Sequence, residues 1–234
     1  MTPRAVTLRS QGEADGPGGY GWGNQALVDG GTAPVLAAIA GGILPASIAG
    51  NPGGFIGGGQ IGYNKQLGQW VLGVEADLQG ANIAANRTVA PTVGGFAPFT
   101  TSASQQLNLF GTARGRFGFT PVPPLLIYGT GGLAYGNEKI SENGFGTAAG
   151  CTAAVAIVCT SGSSTGVGVG WTAGGGVEYA VSRNWTVKAE YLYYDLGSRT
   201  LTLNDVFGRF PANVQTFTDA FRGNIVRGGV NYKF

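Results

Sequence analysis

The chain contains no histidine, only 2 cysteines and a single methionine, and Asp, Glu, Lys and Arg together supply just 11% of its 234 residues. Each shortage excludes something. Without histidine the commonest general base near neutral pH is missing, and two cysteines alone cannot build a Cys/His zinc site. The charged fraction is less than half of the roughly 25% usual for soluble domains. No run of 18 or more apolar residues exists, so no helical segment here is fit to cross a bilayer. The nearest approach runs from Val35 to Leu44 between Pro34 and Pro45. It is expected to be part of a long loop, with a buried amphipathic turn as the alternative. A net charge of +2 without any Lys/Arg cluster leaves no nucleic-acid footprint.

What the chain does have is glycine, 44 residues of it, beside 43% apolar residues that include four Trp, nine Tyr and twelve Phe. That is ample material for burial, which argues against disorder, and a length suited to one β domain. Period-2 alternation or Gly/aromatic patterning marks segments 55–64, 70–80, 106–120, 125–139, 165–180, 185–197 and 220–234, with a short eighth at 17–24. The connections alternate in length. Short turns fall at 65–69, 121–124 and 181–184, and four long connections rich in Gly, Ala, Ser, Thr, Pro and Asn separate the rest. Nothing in a soluble β domain forces that alternation, whereas a transmembrane β-barrel has short periplasmic turns and long external loops. Lipid tolerates no unpaired backbone, so such strands must close into a ring. The expected fold is all-β, an eight-stranded antiparallel up-and-down transmembrane β-barrel whose first strand is truncated.

Each strand offers two faces. Trp70, Leu72, Val74, Ala76 and Leu78 oppose Val71, Gly73, Glu75 and Asp77. Leu107, Leu109, Ala113, Phe117 and Phe119 oppose Asn108, Thr112, Arg114 and Arg116. Trp185, Val187, Ala189, Tyr191 and Tyr193 oppose Thr186, Lys188 and Glu190, and Val226, Val230, Tyr232 and Phe234 oppose Arg227, Asn231 and Lys233. Charge of both signs therefore collects on one side: Glu75, Asp77, Glu178 and Glu190 against Arg114, Arg116, Lys188, Arg227 and Lys233. An eight-stranded interior is just wide enough for side chains to fill, so these charges are expected to pair and plug the lumen.

Tyr63, Trp70, Phe119, Tyr179, Trp185 and Tyr232 sit at strand ends beside short turns or the terminus, as an aromatic girdle would at one membrane interface. Trp22, Tyr135, Tyr191 and Tyr193 suit the opposite interface. A soluble core is the alternative reading of these aromatics. Cys151 and Cys159 could close a loop disulfide or remain two free thiols. Residues 1–16 (MTPRAVTLRSQGEADG) lack the apolar core of a signal peptide. They are expected to be a disordered, non-family terminus ahead of a barrel domain at 17–234, with the chain either mature and tagged or starting upstream of Met1.

The stretches GGQIGYN (58–64), WVLGVEADLQG (70–80), LNLFGTARGRFGF (107–119), LIYGTGGLAYG (126–136), GWTAGGGVEYAVSRNWTVKAEYLYYDLG (170–197) and VRGGVNYKF (226–234) resemble a known family. They look like the small outer-membrane β-barrel proteins of alphaproteobacteria, a porin-like surface-antigen family related to the barrel of outer membrane protein A. The resemblance implies residence in the outer membrane among its lipids, and insertion by the outer-membrane assembly machinery, which reads a terminal aromatic such as Phe234. Only GGYGWGN (18–24) matches the family's opening. Barrels of this type that act as enzymes generally rely on a histidine base, so no enzyme and no cofactor are expected. The function expected is a structural and surface role in the envelope. A small porin is the first alternative and a soluble lipocalin-like carrier the second, while the loops carry no nameable ligand site.

Overall fold

The computed structural model describes residues 9–90, 100–145, 159–205 and 214–234. Strands β1 (Arg9–Asp15), β2 (Gly18–Trp22) and β3 (Gln25–Gly31) run end to end as one barrel strand, and β4 (Ser47–Gly50) and β5 (Gly53–Leu67) form the next. Proline has no N–H to give to a ladder, and Pro17 and Pro52 mark two of these breaks. Their carbonyls still accept from the N–H groups of Gly58 and Gly23, each at 3.0 Å, so the wall continues past them. β6 (Trp70–Val89), β7 (Thr100–Val122), β8 (Leu125–Phe145), β9 (Cys159–Ala180), β10 (Trp185–Asp205) and β11 (Gln215–Lys233) complete eight antiparallel barrel strands. β11 closes the ring by pairing with all three pieces of the first, as in Ala14 with Tyr232, Tyr20 with Val226 and Val28 with Thr218.

Two expectations about the amino terminus are overturned. Residues 9–15 are not disordered, and the first strand is not truncated. β1 supplies the lower end of the wall, pairing with Gln60 to Gln66 on one side and Asn231 to Lys233 on the other. Its alternation is short and weakly apolar, but β5 pairs along its whole length and β11 along Glu13 to Asp15, and tertiary pairing outweighs local pattern. The segment expected as a loop from Val35 is also partly helical. The helix α1 spans Ala33–Ala40, because Pro34 is compatible with a first helical turn. Val35 of this helix buries against Leu44 from the segment that follows it.

The short turns lie where the sequence puts them and are tighter than expected. Leu67 pairs with Trp70 across Gly68 and Gln69, and Gly68 adopts φ +66°, a conformation that glycine reaches without strain. Val122 pairs with Leu125 across Pro123 and Pro124.

Below the outer girdle the apolar face points outward: Val74 and Leu133 are each 62% exposed, whereas Arg114 is 3% and Arg227 2% exposed. That distribution rules out the soluble carrier, which needs its apolar face inward. On β10 Trp185 and Tyr193 lie eight residues apart, a rise of roughly 26 Å at about 3.3 Å per residue. Tilted by about 40°, this covers most of the ~25 Å apolar band of an outer-membrane barrel.

Above the outer girdle the strands run on further than the sequence suggests, and the pattern inverts. Leu201, Leu203, Phe217 and Ile140 now point inward and are buried. Hydroxyls pair outside, Thr200 with Thr218 at 2.9 Å and Ser104 with Ser141 at 2.7 Å. Register shifts at Asn108 on β7 and between Asp195 and Ser198 on β10 mark the change. A bulge adds one residue and flips the facing of everything beyond it. Leu107 is accordingly buried inside rather than sharing the outward face of Leu109, and Asn108 is exposed.

Candidate functional site in the barrel interior

The strand pleat turns alternate residues of β6, β7, β9, β10 and β11 inward at one height, and cross-strand register sets their neighbours. Glu75 lies opposite Arg114, and Glu190 opposite Arg227. Arg114 is the hub. Its guanidinium contacts Glu75 at 3.0 Å, Asp77 at 3.1 Å and Glu190 at 3.0 Å, and its Nε donates to Thr112 at 2.8 Å. Arg116, one turn of the pleat lower, contacts Glu75 at 3.0 Å, Glu13 at 3.2 Å and Glu178 at 2.6 Å. Arg227 joins Glu190 at 2.6 Å to Asp77 at 3.1 Å. The two oxygens of Glu75 thus bridge Arg114 and Arg116 as ion pairs rather than as aligned hydrogen bonds.

Glu75, Asp77, Arg114, Arg116, Glu178, Glu190 and Arg227 are drawn into one continuous network. Lys188 sits at its edge, paired with Asp15 and donating to Gln60 at 2.9 Å. The sequence reading missed several members. Glu13 and Asp15 were hidden in the terminus expected to be disordered, although their spacing of two already places them on one strand face. Gln60 accepts from Arg114, Lys188 and Arg227, and nothing in composition singles out a glutamine. Tyr128 lies under Arg116, 3.6 Å from guanidinium carbon to ring centroid, and donates to Glu190 at 3.2 Å. Lys233, which the sequence already places on the charged face, pairs with Glu178 at 2.8 Å. Six carboxylates and five cations therefore meet in a region almost without solvent access. In such surroundings an unpaired charge is far costlier than a paired one.

The ions occupy only the lower interior. Above them lies an apolar layer that includes Ile83, Leu107, Phe110, Leu192, Tyr194 and Ile225. Higher still, a sparser polar group combines Asp29, Arg87, Glu138, Glu142, Arg199 and Asp219. The interior is layered rather than uniformly ionic, which composition could not reveal.

Tyr63, Trp70, Tyr179, Trp185 and Tyr232 are exposed on the outer wall at the short-turn end, and Phe119 packs at a tilt against Trp70 there, 5.0 Å between ring centroids. Trp22, Tyr135 and Tyr191 face outward at the other level, joined by Tyr20, Phe55 and Trp171. Phe234 is exposed at the lower rim, and its N–H donates to Gly12 at 3.1 Å. Cys159 is disulfide-bonded, while Cys151 lies outside the described residues.

Residues 10–234 match the family model described as outer membrane protein beta-barrel domain. The chain is 41% identical over 183 residues to the 31 kDa outer-membrane immunogenic protein of Brucella melitensis, a match covering 78% of this chain and 67% of that protein. It is 32% identical over 182 residues to the 22 kDa outer membrane protein of Rhizobium leguminosarum, covering 76% and 66% respectively. Among solved structures, the outer membrane protein OprG of Pseudomonas aeruginosa aligns with a TM-score of 0.49 at 13% identity, over 95% of this chain and 96% of that one. The chain belongs to the outer-membrane protein β-barrel domain family and is an outer-membrane barrel with a surface role in the cell envelope.

Proposed function

We propose that this barrel is a closed structural and surface protein, non-enzymatic and non-conducting, with its lumen plugged by the ion-pair network. The observation that carries the reading is Arg114: its side chain has no solvent access and it contacts three carboxylates borne on opposite walls. A guanidinium tied to β6 and β10 at once leaves no aqueous path at that height. The apolar layer above it supplies a second obstruction, since a constriction of this kind repels water. A cavity of about 750 Å³ opens at the periplasmic end, lined by polar residues such as Gln11, Asn64 and Arg183 together with Val71, Leu125 and Leu126, and none of Glu75, Asp77, Arg114, Arg116 or Arg227 lines it. Ions committed to one another also make poor acid–base catalysts, because their protons and lone pairs are already engaged.

Planar-bilayer recording of the purified full chain tests the proposal. Electrical silence supports it; stable unitary steps would establish the small porin instead. The immunogenic relative suggests that the external loops are presented at the cell surface, so antibodies raised against residues 32–46 are expected to label intact cells. Phe234 is proposed as the contact for the assembly machinery. Its deletion is expected to lower the folded yield in cells while leaving refolding in detergent intact.

A further inference from the structure

Above the outer girdle the interior holds carboxylates that form no salt bridge among the described residues. Glu142 and Asp219 are 0% exposed, and neither oxygen of either side chain has a hydrogen-bond partner. Asp29 accepts from Gln215 at 2.8 Å through one oxygen only. The cations nearby are committed elsewhere. Arg87 donates to the Ile48 carbonyl at 3.2 Å and to Gln105 at 3.1 Å, and Arg199 pairs with Glu138 at 3.2 Å. Asp205, at the rim, accepts from the Cys159 N–H. β7 brings only Thr101 and Gln105 to this level, β9 brings Thr160, and neither hydroxyl has a partner. Among the described residues four inward acids, Asp29, Glu138, Glu142 and Asp219, thus face two cations, against the near balance below. Among the described residues no group of three or more acidic, Cys or His side chains is placed to hold a metal ion. A proton is the neutraliser that remains.

We propose that the outer end of the barrel is a proton-held latch: with Asp29, Glu142 and Asp219 protonated it stays packed around Leu27, Ile48, Leu203 and Phe217, and their ionisation loosens β3 and the outer ends of β8 and β11. The inference is independent of whether the barrel conducts. These positions lie beyond the hydrocarbon band, since Glu142 is seven residues past Tyr135 and Asp29 seven past Trp22. Burial pushes Glu142 up to about 8, with the charge of Asp29 adding to the shift. It pushes Asp29 to about 6 against the hydrogen bond from Gln215, and Asp219 to about 6 against the attraction of Arg87. Carboxyls whose folded value is raised stabilise the fold fully below their ordinary range, and that contribution is lost as pH rises through the folded values. The loss therefore begins as pH rises out of the ordinary carboxylate range, passes the folded values of Asp29 and Asp219 near 6 and is complete above about 8.

Amide hydrogen exchange on the full chain folded in detergent, corrected for intrinsic rates and compared between about pH 5 and about pH 9, reads the latch. Protection at 27–31, 140–144 and 215–220 is expected to fall by about tenfold or more, one pKa unit of differential stabilisation being worth a factor of ten. Residues 72–78 are expected to hold steady. The E142Q/D219N double variant is expected to keep most of its protection across this range, with only Asp29 left to ionise. Flat protection in the natural chain, an equal loss at 72–78, or an unchanged pH response in the double variant each overturns the proposal. So does a loss reproduced at constant pH by EDTA, which would assign the carboxylates to a cation. Should the double variant not fold, the infrared band of a protonated carboxyl at neutral pH decides between outcomes: its presence in the natural chain and weakening in E142Q support the latch, and its absence overturns it.

Discussion

Glu13 meets Arg116 at 3.2 Å across the lumen, a contact between residues 103 positions apart that ties the first barrel strand to the fourth. Its neighbour on the same face, Asp15, is the only carboxylate within ion-pair distance of Lys188 among the described residues. The two acids are therefore unequal. Arg116 keeps Glu75 and Glu178 when Glu13 is neutralised, so E13Q is expected to cost about 1 kcal/mol or less. D15N leaves a buried ammonium with amide partners alone and is expected to cost about 3 kcal/mol. Urea unfolding in lipid vesicles checks the order. Equal losses would mean that β1 contributes pairing but no electrostatics.

The network carries one more acid than base, and that sets the sign of a second comparison. Both partners of Glu75 retain two further carboxylates each, so E75Q brings the balance level and is expected to be nearly neutral, within about 1 kcal/mol. R114M removes the hub and leaves Glu75 to Arg116 and both Asp77 and Glu190 to Arg227, with six carboxylates against four cations in the network. A loss of about 3–5 kcal/mol is expected, the range for breaking a buried pair. The gel temperature at which the compact form converts to the unfolded form ranks the two. E75Q falling as far as R114M would show that each ion pair acts alone.

Glycine at the interior face permits close approach of the walls at one testable point. A methyl group on Gly132 would stand 2.2 Å from the Ala113 carbonyl of the adjacent strand, whereas one on Gly131, facing outward, meets nothing nearer than 3.6 Å. G132A is expected to reduce refolding yield severely and G131A to leave it unchanged. Equal yields would show that β7 and β8 can separate locally.

The membrane half of this molecule was legible because hydrocarbon imposes a strict rule: on strands such as 70–78 the outward face carries no charge, and alternation alone assigns every residue. Glu75 and Arg114 could be placed side by side by counting from a short turn. The outer half was not legible in the same way. Beyond Asn108 the bulge inverts facing, so Leu107 and Leu109, alike in composition and phase, end on opposite surfaces. Pattern counting has no means of seeing an extra residue in a ladder. Glu13 and Asp15 escaped for another reason. Their strand is held by two edges distant in sequence, and no local signal announces a partner that arrives from Asn231 to Lys233.

Depth along the wall supplies the sharpest test of what surrounds it. Val74 lies midway between Trp70 at the lower girdle and Leu78 near the upper one, pointing outward. Val181 is comparably exposed at 63% but sits in a short turn. An arginine at the bilayer midplane of a β-barrel costs about 2–4 kcal/mol and one near the interface about 0–1 kcal/mol. V74R is therefore expected to lower the folding free energy in lipid vesicles by about 2–4 kcal/mol, and V181R to leave it within about 1 kcal/mol. In water both positions would accept a charge with equal ease, since neither buries it. Equal effects would place Val74 outside hydrocarbon and remove the reason for an outward apolar face.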